Sequence, residues 1–287
     1  MQDNMDVQQI ISAIGLQVIN HLPVYGGDIN KTYRLQTADE IFFLKVNDSA
    51  AFPEMFRKEA EGLTALRKHF SLTVPEVLKH GEAAGKQYLL MNFIEKGSPQ
   101  KHFWQSFGTA LAEMHKKPDA CFGWYENNYI GSIIQSNEQT TSWQQFYGGM
   151  RILPLVRQLY DSGHFNKTDV LQAEKLCKEA GNLFPEEAPA LLHGDLWSGN
   201  FCVAANGNAA IYDPAVYYGH REMDLGMTRL FGGFDRAFYE AYNAAYPLEP
   251  GWRQRLPLTQ LYPLLVHAIL FGGHYLHSVR NTLQDFK

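Results

Sequence analysis

Hydrophobic and polar positions divide this chain of 287 residues into an alternating first part and a helical second part. Residues 31–35 and 41–46 are β-rich runs around Thr37-Ala38-Asp39-Glu40, which predicts two antiparallel strands and a turn. Phe52, Phe56, Leu63 and Leu66 recur at helical spacing and predict a helix over 53–67, with Pro53 suited to its first turn. Residues 87–91 form another short apolar strand, and the turn-prone residues at Asn92 and 95–99 read as a linker. Beyond it Phe103, Phe107, Ala110, Leu111 and Met114 share one helix face, and further helices are predicted over 168–184, 235–246 and 258–283. Two short runs, 201–203 and 209–212, flank Asn206-Gly207-Asn208, a hairpin turn. The expected class is α+β: a small antiparallel β lobe with one helix over 1–94, then a larger, mainly helical lobe over 95–287 that carries the hairpin.

Composition narrows the function classes. With 45% hydrophobic and 19% charged residues the chain is of globular type. Lys plus Arg total 25 against 30 for Asp plus Glu, a net charge of −5, so no basic footprint for nucleic acid is present. Cys121, Cys177 and Cys202 are far apart and form no CxxC, which points to reduced buried thiols rather than disulfides or zinc. The acidic start lacks a secretory pattern, and the apolar stretch 261–273, broken by Pro263 and His267, is too short to span a bilayer. The expectation is a soluble, cytoplasmic protein with no membrane or nucleic-acid partner.

Candidate chemistry concentrates in His193-Gly194-Asp195-Leu196-Trp197-Ser198-Gly199-Asn200, which follows the H-x-D-L-x-x-x-N pattern of a kinase catalytic loop. Phosphoryl transfer passes through a loose transition state, so its site positions groups and neutralises charge. One carboxylate aligns the acceptor hydroxyl, and an amide with a second carboxylate holds Mg²⁺. Asp195 suits the first role, Asn200 and Asp213 the second, because the hairpin between them returns the chain to one end of its two strands. The bland alternative is a polar loop whose Asp and His cap turns. Trp197 inside this loop admits two readings, a substrate platform or loop packing.

A second constellation lies in the β lobe. Alternation puts Lys45 on the face of Ile41 and Phe43, opposite Phe42, Leu44 and Val46, and Glu59 falls within the apolar stripe of the following helix. Each charge there needs a partner, and a strand Lys with a helix Glu is the pair that kinases use to orient phosphates; a snorkelling Lys and a surface Glu are the alternative. Gly26-Gly27-Asp28 would let backbone amides approach nucleotide phosphates, or form an ordinary hairpin turn. Asn92, Phe93 and Ile94 would present backbone groups to adenine, or simply end a strand. No G-x-x-x-x-G-K-[ST] occurs, which argues against a P-loop NTPase. His267, His274 and His277 share one predicted helix without ligand spacing for a metal, and Phe231, Phe234, Phe238, Tyr239, Tyr242 and Tyr246 have packing as their default meaning.

These motifs, with Phe43-Leu44-Lys45-Val46-Asn47 and the stretch from Asp213-Pro214 through Tyr218-Gly219-His220-Arg221-Glu222 to Asp224, resemble the fructosamine kinase (ketosamine-3-kinase) family over nearly the whole chain. The resemblance implies a two-lobed protein-kinase-like fold related to aminoglycoside phosphotransferases, with ATP and Mg²⁺ as cofactors. It implies phosphorylation of the 3-hydroxyl of ketosamines (ribulosamine, erythrulosamine or fructosamine), free or on a glycated protein lysine, after which the adduct decomposes. By position it gives Asp195 the base role, Lys45 and Glu59 the phosphates, Asn200 and Asp213 the metal, and His193 and Asp224 the support of the loop. The chain departs from relatives in having no cysteine beside Asp28, Asn92 where an acidic residue is common, and Asp-Pro-Ala without a following Ala-Pro-Glu. Redox control through that loop and a phosphorylated activation segment are therefore not expected. An aminoglycoside- or choline-type kinase and a nucleotide-binding pseudokinase stand as alternatives, and monomer and dimer are both open.

Overall fold

A computed structural model describes residues 2–24 and 29–286, with side chains from Val7 onward. Gly26, Gly27 and Asp28 therefore lie outside the described residues. In chain order the elements are α1 (Gln2–Ile14), β1 (Asn20–Val24), β2 (Lys31–Gln36), β3 (Ile41–Asp48), α2 (Met55–His69), β4 (Val77–Ala83), β5 (Lys86–Asn92), α3 (Phe103–His115), β6 (Asn128–Ile130), β7 (Ile133–Gln135) and α4 (Trp143–Phe146). A π-helix (Tyr147–Ile152) follows, then α5 (Leu153–Asp161), α6 (Lys167–Leu183), β8 (Ala190–Leu192), β9 (Phe201–Val203), β10 (Ala209–Ile211), β11 (Tyr217–Gly219), α7 (Glu222–Leu230), α8 (Arg236–Ala245), α9 (Leu256–Phe271) and α10 (His274–Asp285). The chain divides into two compact units, Met1–Phe103 with Cys202–Asp213, and Trp104–Phe201 with Pro214–Lys287. The class is α+β, as the pattern of runs and stripes implies.

The first unit is a five-stranded antiparallel sheet in the order β1-β2-β3-β5-β4. Val7, Ile10, Ile11 and Ile14 of α1 follow i, i+3, i+4, i+7 spacing and pack on the face formed by Leu35, Phe42, Leu44, Val46 and Leu90. Burying each such side chain contributes about 1.5–3 kcal/mol. The sequence pattern was read without this helix. On the opposite face lies α2, which starts at Met55; Pro53 sits in the preceding turn rather than in the first helical turn. Edge strand β4 is polar and largely exposed, so it lacks the alternation that marks β3. The hairpin of β9 and β10 joins this unit through bonds from Thr73 N–H to Ala209 O (3.2 Å), Ile211 N–H to Thr73 O (3.0 Å) and Gly97 N–H to Val203 O (2.9 Å). The sequence pattern divides the chain at 94/95, whereas these contacts group residues up to Phe103 and the hairpin with the sheet.

The second unit buries one large core from α4, the π-helix, α5, α6, α9 and α10, centred on Phe146, Tyr147, Leu176, Leu261 and Leu265. Helix α6 starts with a capping box between Asn166 and Asp169, and α8 is capped by Asp235, whose side chain accepts from Ala237 N–H. The helix expected over 258–283 is two helices. Gly272 and Gly273 both take positive φ, 63° and 60°, and turn α10 away from α9. Cys177 is buried, and burial pushes its thiol up to about 12, but Cys121 and Cys202 are only half-buried; all three are free thiols. No helix among the described residues is long and apolar enough to cross a membrane.

Candidate active site

Strand alternation and helix periodicity meet in the first unit at Lys45. Its face of β3 is the face covered by α2, so the ammonium, 5% exposed, reaches Glu59 Oε1 at 2.6 Å. Its second partner comes from far along the chain: Asp213, two residues past β10, places Oδ1 2.5 Å from Lys45 Nζ. Burial alone would push the Lys45 ammonium down, but Asp213 and Glu59 outweigh it and hold its pKa well above the ordinary lysine range. Asp213 is a non-glycine residue in the left-handed region at φ 57°, and its side chain is 46% exposed. Such a conformation costs of order 1–3 kcal/mol and persists where the surroundings over-determine it. Here the hydrogen-bonded hairpin and Lys45 do so.

In the second unit, antiparallel pairing of β8 with β11 sets Leu192 opposite Tyr217 and brings the start of the 193–200 loop beside the first turn of α7. Asp224 in that turn is buried. Its Oδ2 accepts from His193 N–H at 2.8 Å and its Oδ1 from Gly194 N–H at 2.9 Å. His115, the last residue of α3, donates through Nε2 to Oδ2 at 3.2 Å, while its Nδ1 lies 2.8 Å from the Tyr242 hydroxyl. The Nε2–H tautomer satisfies both contacts, with Tyr242 as donor to Nδ1. Burial works to raise the Asp224 carboxyl, but His115, His193 and the Gly194 N–H hold it below the usual carboxylate range. Gly194 takes φ +82°, and a Cβ there would stand 2.0 Å from Ala215 O. The loop thus leaves its two anchored amides and presents Asp195, half-buried, with Asn200 Nδ2 donating to its backbone oxygen at 2.8 Å and to Oδ2 at 3.0 Å.

Of the remaining sequence-predicted residues, Trp197 is 36% exposed and meets Phe231 edge-on at 5.7 Å. His193 is fully buried, and its Nδ1 lies 3.3 Å from Asp195 N–H. Asn92 and Phe93 spend their amides inside the sheet, on Glu76 O and Ile41 O. These two amides are therefore committed to hydrogen bonds within the first unit. Phe43 stands 6.5 Å from the Phe93 ring and two residues before Lys45 on the same face. His267 lies on α9, whereas His274 and His277 lie on α10.

A Lys–Glu–Asp cluster and an H-G-D-x-x-x-x-N loop match what phosphoryl transfer asks of a protein, and comparison with known proteins decides the family. The fructosamine kinase family model matches residues 4–287. The chain belongs to the fructosamine kinase family. It is an ATP-dependent phosphotransferase. An Enterococcus faecium protein bearing the ketoamine kinase name is 37% identical over 287 residues, covering 98% of this chain and 100% of that one. The chloroplastic protein-ribulosamine 3-kinase of Arabidopsis thaliana is 39% identical, covering 92% and 81%. A Thermobifida fusca crystal structure bearing the fructosamine-3-kinase name superposes with a TM-score of 0.87 at 35% identity and 96% coverage of both chains. The aminoglycoside phosphotransferase APH(4)-Ia, 17% identical with a TM-score of 0.65 and 99% coverage of both chains, shares the fold. This is the protein-kinase-like fold.

The family fold also contains residues that sequence reasoning missed. His115 and Tyr242 buttress Asp224; the available signal was a histidine four residues past Leu111 on an otherwise apolar helix stripe. The Tyr-Gly-His-Arg-Glu stretch was visible as a family motif, but its partners were not: Arg221 holds Glu187 through Nε (2.8 Å) and Nη2 (2.7 Å), and Glu222 is held by Arg255 at 2.8 and 2.5 Å, in a buried charge cluster.

Proposed function

We propose that this fructosamine kinase family member transfers the γ-phosphoryl of ATP to the 3-hydroxyl of a ketosamine, with ribulosamines the favoured class, and that decomposition of the product frees the amine. The observation that carries the reading is the held Asp195 carboxylate, oriented by Asn200 on a loop whose two leading amides are pinned by Asp224. The substrate class rests on the likeness to the plant protein-ribulosamine 3-kinase. Asp195 accepts the hydroxyl proton late in the transfer, since a carboxylate is a weak base for an alcohol and positioning dominates. Lys45, kept charged by Glu59, neutralises phosphate oxygens, and Trp197 stacks on the acceptor.

Each proposed donor, taken within its own unit, is of a type that suits Mg²⁺. Asn200 and Asp213 offer amide and carboxylate oxygens, and among the described residues no group of three His, Cys, Asp or Glu could hold a metal by itself. Mg²⁺ is suited to such sparse oxygen donors because it takes one or two carboxylates and completes its shell with nucleotide phosphates and water. When bound, it supplies charge neutralisation at the phosphates. The test is ³¹P NMR of ATP, Mg²⁺ and protein with ribulosamine, fructosamine, choline and an aminoglycoside, with Asp195→Asn as control. A new sugar phosphate from a ketosamine, absent in the variant, supports the reading. Turnover on choline or the aminoglycoside alone replaces the acceptor class, and no turnover on any acceptor favours a nucleotide-binding pseudokinase.

A further inference from the structure

Arg151, in the π-helix of the second unit, is fully buried, yet its polar contacts are all to neutral oxygens. Nη2 donates to Asn137 Oδ1 at 2.7 Å, and Nη1 donates to Ser136 O and, at 3.4 Å, to Met150 O. Nε has no partner among the described residues. The rings of Tyr217, Phe146 and Tyr262 face its Cζ at 4.0, 4.4 and 5.2 Å, and their π-faces offset part of the cost of burying a cation. An apolar side chain of the same volume would fill this space without that cost. Packing alone therefore does not account for a guanidinium here.

What the guanidinium supplies is direction. It only donates, so Asn137 must turn Oδ1 toward it and Nδ2 away. That Nδ2 donates to Asn128 Oδ1 at 2.8 Å, and Gln135, opposite Asn128 in the β6–β7 pair, donates to the same oxygen at 2.8 Å. With Oδ1 so occupied, Asn128 Nδ2 donates to Val216 O at 2.8 Å, and Gln135 Nε2 also reaches Ala215 O at 3.0 Å. Gln135 Oε1 accepts from the Tyr262 hydroxyl at 2.8 Å. Burial pushes that hydroxyl up, with Arg151 opposing and Tyr217 and Asp195 adding to the rise, so it stays protonated and donates. The last link meets the kinase loop. Ala215 N–H donates to His193 O at 2.9 Å, and Ala215 O is the atom that leaves Gly194 no room for a Cβ.

We propose that Arg151 is a positioning residue for phosphoryl transfer: it sets the direction of these buried amides and through them holds the Ala215 peptide against the loop that presents Asp195. The proposal rests on the Asp195 reading above and adds a support for the loop separate from Asp224. Each bond in the chain is strengthened by the low-dielectric surroundings, which also make a reversed amide costly, so the donor at its head governs the carbonyls at its end.

The test follows kcat with ATP and ribulosyl-lysine, and hydrogen exchange of the Ala215 amide by NMR, in wild type, Arg151→Met, Arg151→Gln, Arg151→Lys and Gln135→Leu. Arg151→Met removes the donor and Arg151→Gln can also accept. Both are expected to lower kcat at least about tenfold with KM for either substrate within about twofold, and to speed Ala215 exchange by about tenfold. Arg151→Lys, still donor-only, should bring both readouts to within about threefold of wild type. The double variant Arg151→Met/Gln135→Leu should be no slower than the worse single variant, because both changes act on one chain of bonds. Wild-type kcat and exchange in Arg151→Met, a Gln variant as active as the Lys variant, or losses that multiply in the double variant overturn the proposal. Gln135→Leu leaves the bonds of Arg151 itself in place and carries the test should the Arg151 variants not fold; wild-type kcat and Ala215 exchange in it overturn the proposal as well. If wild type phosphorylates no ketosamine, or Asp195→Asn keeps its kcat, the reading of the site fails instead, and Ala215 exchange then decides the proposal alone.

Discussion

Replacement of Asp224 probes how the kinase loop is held. The carboxylate satisfies three buried donors: His193 N–H, Gly194 N–H and His115 Nε2–H. Asp224→Ala strands all three, and a buried unsatisfied donor costs about 1–3 kcal/mol, so with partial relaxation the loss should be about 3–6 kcal/mol. That is a large share of a stability of about 5–15 kcal/mol. Asp224→Asn keeps the shape but sets an NH₂ against a backbone N–H, for about 2–4 kcal/mol. Because the same bonds place Asp195, turnover should fall with stability, and displacement of the loop by about 1 Å is enough for ~10²-fold in kcat. The pH sign follows from the depressed carboxyl. Its stabilisation is complete above the ordinary aspartate value of about 3.9 and is lost as pH falls through the lower folded value, a limb that Asp224→Asn removes. Urea midpoints and kcat at saturating ATP read both effects. An Asn variant within about 1 kcal/mol of wild type and with unchanged kcat refutes the buttress.

Three further outcomes are expected. Lys45→Met leaves the buried Glu59 carboxylate without its ammonium and should cost about 3–5 kcal/mol; since the Lys45 pKa is raised, its contribution is present below about 10.4 and lost only as pH rises through the higher folded value. Urea midpoints of wild type and variant should keep their gap from pH 7 to 10, and a gap that closes by pH 9 defeats the pairing. Gly194→Ala combines left-handed strain of about 1–2 kcal/mol with contact against Ala215 O, so a well-folded variant with normal kcat would contradict the loop geometry. Glu187, which burial would raise but Arg221 holds below the usual glutamate range, stabilises above about 4.3 and loses this as pH falls through its folded value. Thermal unfolding of Glu187→Gln should lie below wild type at pH 7 and approach it in acid; a constant difference counts against the ion pair.

Local periodicity made much of this legible. Period-two alternation set Lys45 opposite Phe42, Leu44 and Val46, and the apolar stripe of α2 carried Glu59, so two charges destined for one interior were visible without coordinates. The loop motif was legible because phosphoryl transfer needs fixed residue types at short spacing, and the roles of its residues are those proposed above. Helix α1 had its i, i+3, i+4, i+7 signal in Val7, Ile10, Ile11 and Ile14 and was overlooked beside the acidic start. The Gly272-Gly273 break was likewise written in the chain, but the apolar stripe runs across it and reads as one helix.

By itself the sequence determined which faces are apolar, where turns fall and which functional groups exist, since these follow from each residue's own covalent geometry and its near neighbours. The tertiary structure decided partnership. His115 reaches Asp224 across 109 positions, Lys45 reaches Asp213 across 168, and Asp213, two residues past β10, stands at φ 57°. Local propensity carries no term for such meetings, because they are stabilised by desolvation and paired charge in places that exist only once the chain has closed around them.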